Sequence, residues 1–473
     1  MKTKSLYICA LALLCWGCPE PIEIILEPDR VNMWIYQALQ PRYLWSDEMK
    51  PLQSEDLLLD PESFFETVIR YRTTPDPIFP NSDGDRFSYM KAIDPANRSN
   101  TEFIAGHEDG FGFEARLFLL SSQVQGGQVI YTVRGSPAGE AGLQRGEEFS
   151  ALMADGTSYP FPIERSLYTS LLENSREVTL CIDYPVVREV SLERAPYYDS
   201  PLLLDTVYQT LPPTAYLVYN HFTAGANNRY ISELEQVFRR FRDAGATQLI
   251  LDLRYNTGGE LAIVRRLASL MARSEWLGEV LFYKENRQSY GRPEQFEAEY
   301  FLPASTMDEI NMNAAKICMI TSGNTASASE LMIHALKPWY DTDLTQVGET
   351  TVGKNVASMT ITNKHYLWEL HPVTLRLHNR DRISGYEAGI PPDGGEVSEL
   401  LTNGRIAGDF GDTGDPLLFS ALQHITEGAF SAAGLSGVRK SRVAPVGYAL
   451  PAGRSTEITV PVRGLSEGMI VLD

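Results

Sequence analysis

An alternation of strand-like and helix-like runs fills the chain from about residue 200 to residue 425. The run TQLILDLR (247–254) is almost continuously apolar, which predicts a strand covered on both faces. The run before it, NRYISELEQVFRRFRDAG (228–245), places its apolar side chains on one helical face and ends at a glycine. Because strand, helix, strand and helix in succession imply parallel pairing, we expect an α/β core over residues 197–425.

The regions on either side of this core have different patterns. Residues 31–100 contain apolar side chains at helical spacing and predict a helical N-terminal domain. Residues 101–196 contain β-like runs separated by turns and predict a β-rich domain. Residues 426–473 form a C-terminal extension that is β-like in its last part and whose role the pattern does not indicate.

The first 18 residues, MKTKSLYICALALLCWGC, indicate export. Two lysines precede an apolar run too short to span a bilayer, as in a signal peptide over residues 1–17. Gly17-Cys18 resembles the end of a bacterial lipoprotein signal, in which Cys18 becomes lipidated; an ordinary cleaved signal is the alternative. Residues 18–30 would then be a tether. We expect a periplasmic, outer-membrane or cell-surface protein, held at the membrane by its lipid anchor alone.

The charge and the histidine spacing bear on possible partners. The formal net charge of −20 repels phosphate backbones, so nucleic acid is not an expected partner. His365, His371 and His378 are six and seven residues apart, unlike a compact ligand set, and we expect no metal site and no cofactor.

The run TASASELMIHALKP (325–338) holds the first candidate for chemistry. Ser327 follows the strand-like KICMIT and starts a helix that Pro338 should end, which places the serine at the carboxyl edge of the sheet. The Ala328 N–H would face the same space, where a helix N-terminus can stabilise an oxyanion. Ser327 and Glu330 also fit a capping box, so a purely structural role is the alternative.

A nucleophilic serine needs a base, and Lys354 in GETTVGKNVASMTI is the candidate. A lysine accepts a proton only when neutral, and burial lowers its pKa from about 10.4 toward roughly 7–8. His334 is too far along the serine's own helix to serve. The sequence leaves five other histidines open as bases: His221, His365, His371, His378 and His424.

A glycine turn follows the strand TQLILDLR. Gly258 and Gly259 lie between this strand and the helix-like ELAIVRRLASL, where glycines permit close backbone approach and expose N–H groups. The turn is either a plain connection or, beside a nucleophile, the second half of an oxyanion hole.

Three motifs in this order, LILDLRYNTGG, TASASELMIHAL and ETTVGKNV, resemble those of the C-terminal processing (tail-specific) serine peptidases. The resemblance implies an α/β protease core of ClpP/crotonase-like β-α units and a Ser–Lys dyad. In that pattern Ser327 is the nucleophile, Lys354 the base and Glu330 a supporting hydrogen-bonding group. The oxyanion donors would be backbone N–H groups of Ala328 and of the Gly258-Gly259 turn.

The resemblance continues upstream. The loop GFGF, Gly110-Phe111-Gly112-Phe113, followed by GSPAGEAGLQRGEE, looks like a PDZ domain over residues 101–196. Such a loop cradles a peptide's terminal carboxylate while the peptide adds a strand to a sheet edge. The implied partners are polypeptide substrates held through their C-terminal segments. WIYQALQPRYLWSDEM and DRFSYM look like the N-terminal segment of exported Bacteroidetes-type members.

Two other functions compete with a peptidase. Gly348 to Asn355 nearly matches a phosphate-binding loop, but Asn355 lacks the hydroxyl that would hold Mg²⁺. A peptide-binding lipoprotein with the same fold but no turnover is the second alternative.

Overall fold

A computed structural model describes residues 28–69, 85–93, 107–286, 295–401 and 403–428. The predicted signal peptide, Cys18, most of the tether and nearly all of the extension 426–473 lie outside these residues. Across the described ranges, no helix combines the length and apolar character needed to cross a membrane.

The N-terminal segment is helical, as the spacing predicts. It contains α1 (Pro28–Leu39), α2 (Pro61–Ile69) and the strand β1 (Tyr89–Ala92). The helices bury Ile35 and Phe64 in a cluster that also takes in Leu370 and Val373 from the α/β core. The segment is therefore packed onto the core rather than held apart from it.

The β-rich region has its own apolar cluster around Phe149 and Leu152. Strand β3 lies at one edge of a sheet ordered β3-β4-β5-β8-β9, with β6 and β7 beside it, while β2 pairs with β10. The elements are β2 (His107–Gly110), β3 (Phe113–Leu120), β4 (Gln123–Thr132), α3 (Pro137–Glu140), β5 (Glu148–Ala154), β6 (Thr157–Pro160), β7 (Ile163–Glu164), α4 (Arg165–Asn174), β8 (Glu177–Tyr184), β9 (Arg188–Glu193) and β10 (Ala195–Tyr198).

The α/β core follows. Its elements are β11 (Leu202–Tyr208), β12 (Thr214–Tyr219), α5 (Arg229–Asp243), β13 (Gln248–Asp252), α6 (Leu261–Met271), β14 (Val280–Asn286), β15 (Gln295–Tyr300), α7 (Ala304–Met307), β16 (Lys316–Thr321), α8 (Ala328–Tyr340), β17 (Leu344–Gly348), β18 (Val356–Ser358), β19 (Ile361–Asn363), β20 (Trp368–His371), β21 (Val373–Asn379) and α9 (Pro416–Glu427). The helix α9 continues two residues past the predicted core limit at 425.

The central sheet has the order β11-β12-β13-β16-β17, and the last four strands are parallel. Two other sheets flank it, β15-β14-β21-β18 and β1-β20-β19. The predicted mixed α/β core is therefore confirmed. Parallel strands end at one edge of a sheet, so the segments that follow β13, β16 and β17 meet there.

The strand β13 shows why the sheet needs cover on both faces. Leu249 and Leu251 enter the cluster formed with α5, α6 and α8, and Ile250 enters the cluster formed with α9. Side chains that alternate between faces are thus apolar on both, as the continuous run predicts.

The helix α8 does not end at Pro338, and that prediction is wrong. The helix continues through the proline to Tyr340. The last turn is held by tertiary contacts: the Tyr340 hydroxyl donates to the Met271 carbonyl at 2.8 Å, and its ring packs edge-on against Trp276. These contacts offset the N–H that proline lacks so near the helix end.

Candidate active site

Ser327 follows the turn at Gly323-Asn324 after β16 and lies immediately before α8. Its backbone has φ 59° and ψ −114°, in the region that non-glycine residues seldom adopt. The side chain is fully buried, and its Oγ has no hydrogen-bond partner among the described residues. Both halves of the predicted capping box are in place, but only the Glu330 half has hydrogen-bond geometry; the contact between Ser327 Oγ and the Glu330 backbone N–H falls short of it. The serine hydroxyl is therefore not committed to holding the helix.

The neighbouring hydroxyls are committed. Thr325 donates to the Leu253 carbonyl at 2.9 Å, and Ser329 donates to the Asn256 carbonyl at 3.0 Å. The Ala326 N–H donates to the same Asn256 carbonyl at 3.2 Å. These bonds join the start of α8 to the segment that follows β13, which brings the glycine turn to Ser327.

The turn at Gly258 and Gly259 tolerates no side chain. A Cβ on Gly258 would lie 2.8 Å from Ser327 Cβ and 3.1 Å from the Ala328 nitrogen, and one on Gly259 would lie 2.2 Å from the Phe222 carbonyl oxygen. Both residues also have positive φ, 118° and 140°. The glycines thus let the turn close against the serine. The Gly258 N–H itself donates to Asn256 Oδ1 at 2.9 Å.

Glu330 joins the serine segment to the lysine loop. One carboxylate oxygen, Oε2, accepts the backbone N–H groups of Ser327 and Lys354, each at 2.8 Å. The backbone nitrogens of Ser327 and Lys354 therefore lie within twice that 2.8 Å distance of each other. The other oxygen accepts the Gly353 N–H and the Thr351 hydroxyl, each at 2.5 Å. Burial raises the pKa of Glu330 above its usual value, although these hydrogen bonds act against the rise.

The loop that resembles a phosphate-binding loop therefore wraps a carboxylate. Two of its N–H groups, from Gly353 and Lys354, donate to Glu330. Asn355 donates instead to Ser384 and Glu387. A phosphate would have to compete for backbone donors that Glu330 already uses.

Lys354 is the one lysine in the described residues whose pKa is clearly lowered. The residue is 3% exposed. Burial lowers the pKa of Lys354 to about 8, while the charges of Asp85 and Glu330 act in the opposite direction. Its Nζ lies 5.5 Å from the centre of the Phe87 ring. About a tenth of such a group is neutral at pH 7, enough to act as a base.

Three of the histidines that the sequence left open as bases either have hydrogen-bond partners of their own or have a lowered pKa. His221 contacts the Asp199 carbonyl and the Thr223 hydroxyl, and His378 contacts Glu285 at 2.5 Å. His371 is buried near Lys354, and burial followed by the charge of Lys91 lowers its pKa to about 4.

The GFGF loop connects β2 to β3 in the β-rich region. The Phe111 carbonyl accepts the Ala138 N–H, and the Gly112 carbonyl accepts the Val133 N–H, both at 2.9 Å. A Cβ on Gly112 would collide with Ser136 at 2.1 Å. The following residue, Phe113, begins the edge strand β3. An edge strand after a tight glycine loop has the layout that strand addition requires.

A second buried cluster, which the sequence did not reveal, lies next to the glycine turn. Arg254 donates to Asp252 and Asp415 at 2.6 and 2.5 Å and to Glu399 at 3.2 Å. Arg145, from the β-rich region, donates to Glu399 at 2.6 Å and to the Tyr255 hydroxyl at 2.8 Å. Despite burial, which acts the other way, the two arginines lower the pKa of Glu399 to about 2.

Three residues near the candidate dyad were also missed. Thr351 bonds to Glu330, Asn256 holds the turn, and Asp85 acts on Lys354 from the N-terminal segment. A signal existed for the first two, because they lie inside the motifs ETTVGKNV and LRYNTGG. Asp85 is the first residue of the run DRFSYM. That run did not indicate a role at Lys354, because the charge acts across more than 200 residues of chain.

Comparison with known proteins places these motifs in one family. Residues 213–394 match the model of peptidase family S41, and residues 30–89 match that of the peptidase S41 N-terminal domain. Together they cover just over half of the chain. A carboxyl-terminal-processing protease of Picosynechococcus sp. is 27% identical over 303 residues, covering 60% of this chain and 66% of the relative. Its counterpart in Synechocystis sp. is 28% identical over 276 residues, covering 57% and 58%.

The chain thus spans less than two thirds of the length of each of these relatives. The fold has a fuller match in a crystal structure from Bacteroides fragilis NCTC 9343 that is assigned to the S41 proteases. This match has a TM-score of 0.66 and 24% sequence identity, and it covers 84% of this chain and 97% of that one.

Proposed function

The chain belongs to peptidase family S41, and on that premise we propose that it is a serine endopeptidase acting through Ser327 and Lys354. The main support is the buried Ser327 hydroxyl, which has no hydrogen-bond partner among the described residues. The backbone N–H groups of Ser327 and Lys354 share one oxygen of Glu330. A strained serine with an unbonded hydroxyl, joined through Glu330 to a lysine with a lowered pKa, fits an activated nucleophile.

In the proposed reaction, neutral Lys354 takes the hydroxyl proton of Ser327 as the oxygen attacks a peptide carbonyl. The oxyanion is held by backbone N–H groups of Ala328 and the Gly258-Gly259 turn. Because the Gly258 N–H already donates to Asn256, we assign the turn's contribution to Gly259. Lys354 then passes its proton to the leaving amine. Water, deprotonated by Lys354, attacks the acyl ester, the bond to Ser327 Oγ breaks to release the acid, and Lys354 returns the proton to Ser327.

The test compares cleavage of an unstructured peptide by the wild type, Ser327→Ala and Lys354→Ala. We expect each substitution to lower kcat/KM by at least about 1,000-fold, since each removes a reacting group. Ser329→Ala is the matched control, because its hydroxyl lies two residues away and bonds to a carbonyl. Undiminished cleavage by either test variant would reject the dyad.

A peptide-binding protein without turnover is the second candidate. The intact Ser327, Lys354 and Gly258-Gly259 argue against it, and the curated relatives are proteases. It is kept as the alternative because Ser327 is fully buried, so a peptide reaches it only after a rearrangement. Binding of the peptide by the wild type with no products, at any pH between about 6 and 10, would support this function instead.

The finer parts of the proposal concern capture and location. We propose that the GFGF loop and the edge of β3 hold substrate C-termini, so that amidation of the peptide's terminal carboxylate should weaken binding. We also propose export and lipidation at Cys18, which lies outside the described residues. Incorporation of labelled palmitate that is lost in Cys18→Ala would support the anchor.

A further inference from the structure

We propose that Asp85 is a positioning residue for the lysine base, a fixed negative charge in a wall that the N-terminal segment builds over Lys354. This inference rests on the proposed function. It concerns a residue that lies outside the three motifs and that enters the site from another part of the chain.

The wall is the segment from Asp85 to Tyr89, and several contacts fix it on the core. The Ser88 hydroxyl accepts the Val373 N–H at 2.8 Å. Tyr89 pairs with His371 between β1 and β20, and their rings stack at 4.3 Å. Phe87 lies between these anchors and Asp85, with its ring centre 5.5 Å from Lys354 Nζ. The segment therefore brings the Phe87 ring to the lysine, and Asp85 lies two residues before that ring.

The Asp85 carboxylate is held in place but not neutralised. Its Oδ1 accepts the N–H groups of Phe87 and Ser88 at 2.8 and 3.1 Å. Its Oδ2 is buried and has no hydrogen-bond partner among the described residues. The charge of Asp85 stabilises the ammonium form of Lys354 more than the charge of Glu330 does. Asp85 thus acts on the lysine through the charge of a carboxylate that two backbone N–H groups hold in place.

The wall also contains Arg86, which is exposed and whose guanidinium lies 4.8 Å from the centre of the Phe87 ring. Further charged or titratable positions lie around the lysine. Glu330 accepts the Lys354 backbone N–H and also stabilises the ammonium form. His371 is buried and, with a pKa of about 4, carries no charge at neutral pH. Beyond it, Glu369 lies 3.6 Å from Lys91, so those two charges largely offset each other. Asp85 is therefore the charge in the wall whose removal should be felt most directly by Lys354.

The test is the pH profile of kcat/KM for peptide cleavage by the full chain. In the wild type we expect the acidic limb near pH 8. The charge of Asp85 favours the protonated lysine, so Asp85→Asn, which keeps the Oδ1 acceptor, should move this limb roughly half to one pH unit lower. Because a less basic lysine is also a weaker base, the variant should be about two- to threefold slower above pH 9. The two profiles should cross, and a merely loosened structure would not produce a crossing.

Two more variants control the interpretation. Asp85→Glu keeps the charge and should keep the wild-type limb. Asp56→Asn removes another buried N-terminal acid, paired with Lys50 at 2.6 Å, and should leave the limb in place.

An unmoved limb in Asp85→Asn, with active wild type, would overturn the inference while leaving the peptidase intact. Asp85→Ser retains a turn-forming oxygen without the charge and should reproduce the shift. If neither neutral variant folds while Asp85→Glu does, Asp85 is structural and the inference fails. Absence of Ser327-dependent cleavage in the wild type would instead reject the proposed function.

Discussion

Two buried polar clusters lie side by side at the carboxyl edge of the central sheet, and they differ in how their charges are satisfied. Around Arg254, both carboxylates of Asp252 and Asp415 and that of Glu399 are bonded to a guanidinium. Around Ser327, the hydroxyl has no partner among the described residues, and Lys354 is shifted toward its neutral form. Burial thus leaves the paired Arg254 and Glu399 in their charged forms but moves Lys354 toward neutrality.

The difference depends on whether the buried cation is bonded directly to carboxylates. Arginine stays charged under all ordinary conditions and meets carboxylates directly, so burial strengthens the attraction. Lysine loses its proton when burial costs more than its neighbours return. The Arg254 cluster stabilises the turn beside it. The Ser327 cluster contains the groups that react in the proposed mechanism. Substitutions in each cluster should therefore have opposite effects on stability.

The largest effect on stability is expected from Arg254→Met. It leaves Asp252 and Asp415 buried without their cation, which should cost about 3–5 kcal/mol. The midpoint of urea unfolding at pH 7 measures this loss. Arg240→Met is the control, because Arg240 pairs with Asp205 at the surface and should lose no more than about 1 kcal/mol. Equal losses in the two variants would contradict the comparison.

Lys354→Met should have the opposite sign. The lysine pKa is about 8 in the folded protein and 10.5 when the lysine is solvated. The unfolded chain therefore binds more protons between these pH values, and below pH 8 folding must bury a protonated lysine at a cost in free energy. Wild-type stability should rise as the pH goes from 8 to 10.5, and the methionine variant should lack this rise. At pH 7 the variant should be more stable by up to about 3 kcal/mol, yet inactive. A variant less stable than wild type at pH 7 would show that Lys354 is satisfied by its surroundings.

The smallest of the three effects is expected from Thr351→Val. The substitution conserves shape but removes the hydroxyl that donates to Glu330 and accepts the Ile390 N–H. We expect a loss of about 1–2 kcal/mol in unfolding free energy and a fall in kcat/KM, because Glu330 loses a bond that lowers its pKa. Thr350→Val is the matched control, since that hydroxyl bonds to Glu396 at the surface. Similar activity loss in both variants would show that Thr351 has no special part.

The features that the sequence predicted correctly are those that depend on the pattern of residues close together in the chain. The apolar run around Ile250 predicts a strand buried on both faces, and the structure confirms it. Residues Ser327, Glu330 and Lys354 belong to ordered motifs, so the sequence could nominate them before any distance was known.

What the sequence could not provide depends on contacts between distant segments. The end of α8 is set by Tyr340 against Met271 and Trp276, so the local signal at Pro338 was misleading. The ion pair between Arg145 and Glu399 joins residues 254 positions apart, and nothing around either residue indicates the other. The charge of Asp85 likewise acts on Lys354 only because the pairing of β1 with β20 brings the two segments together.

The shared carboxylate of Glu330 has a consequence for the newly made chain. The serine and the lysine come from segments 27 residues apart, and their approach depends on both backbones reaching one side chain. An extended lysine has its solvated pKa and is a cation at neutral pH, so it cannot serve as a base. Under the proposed mechanism, the chain would therefore be unable to cleave itself or its neighbours during synthesis, and its own folding would be the step that activates it.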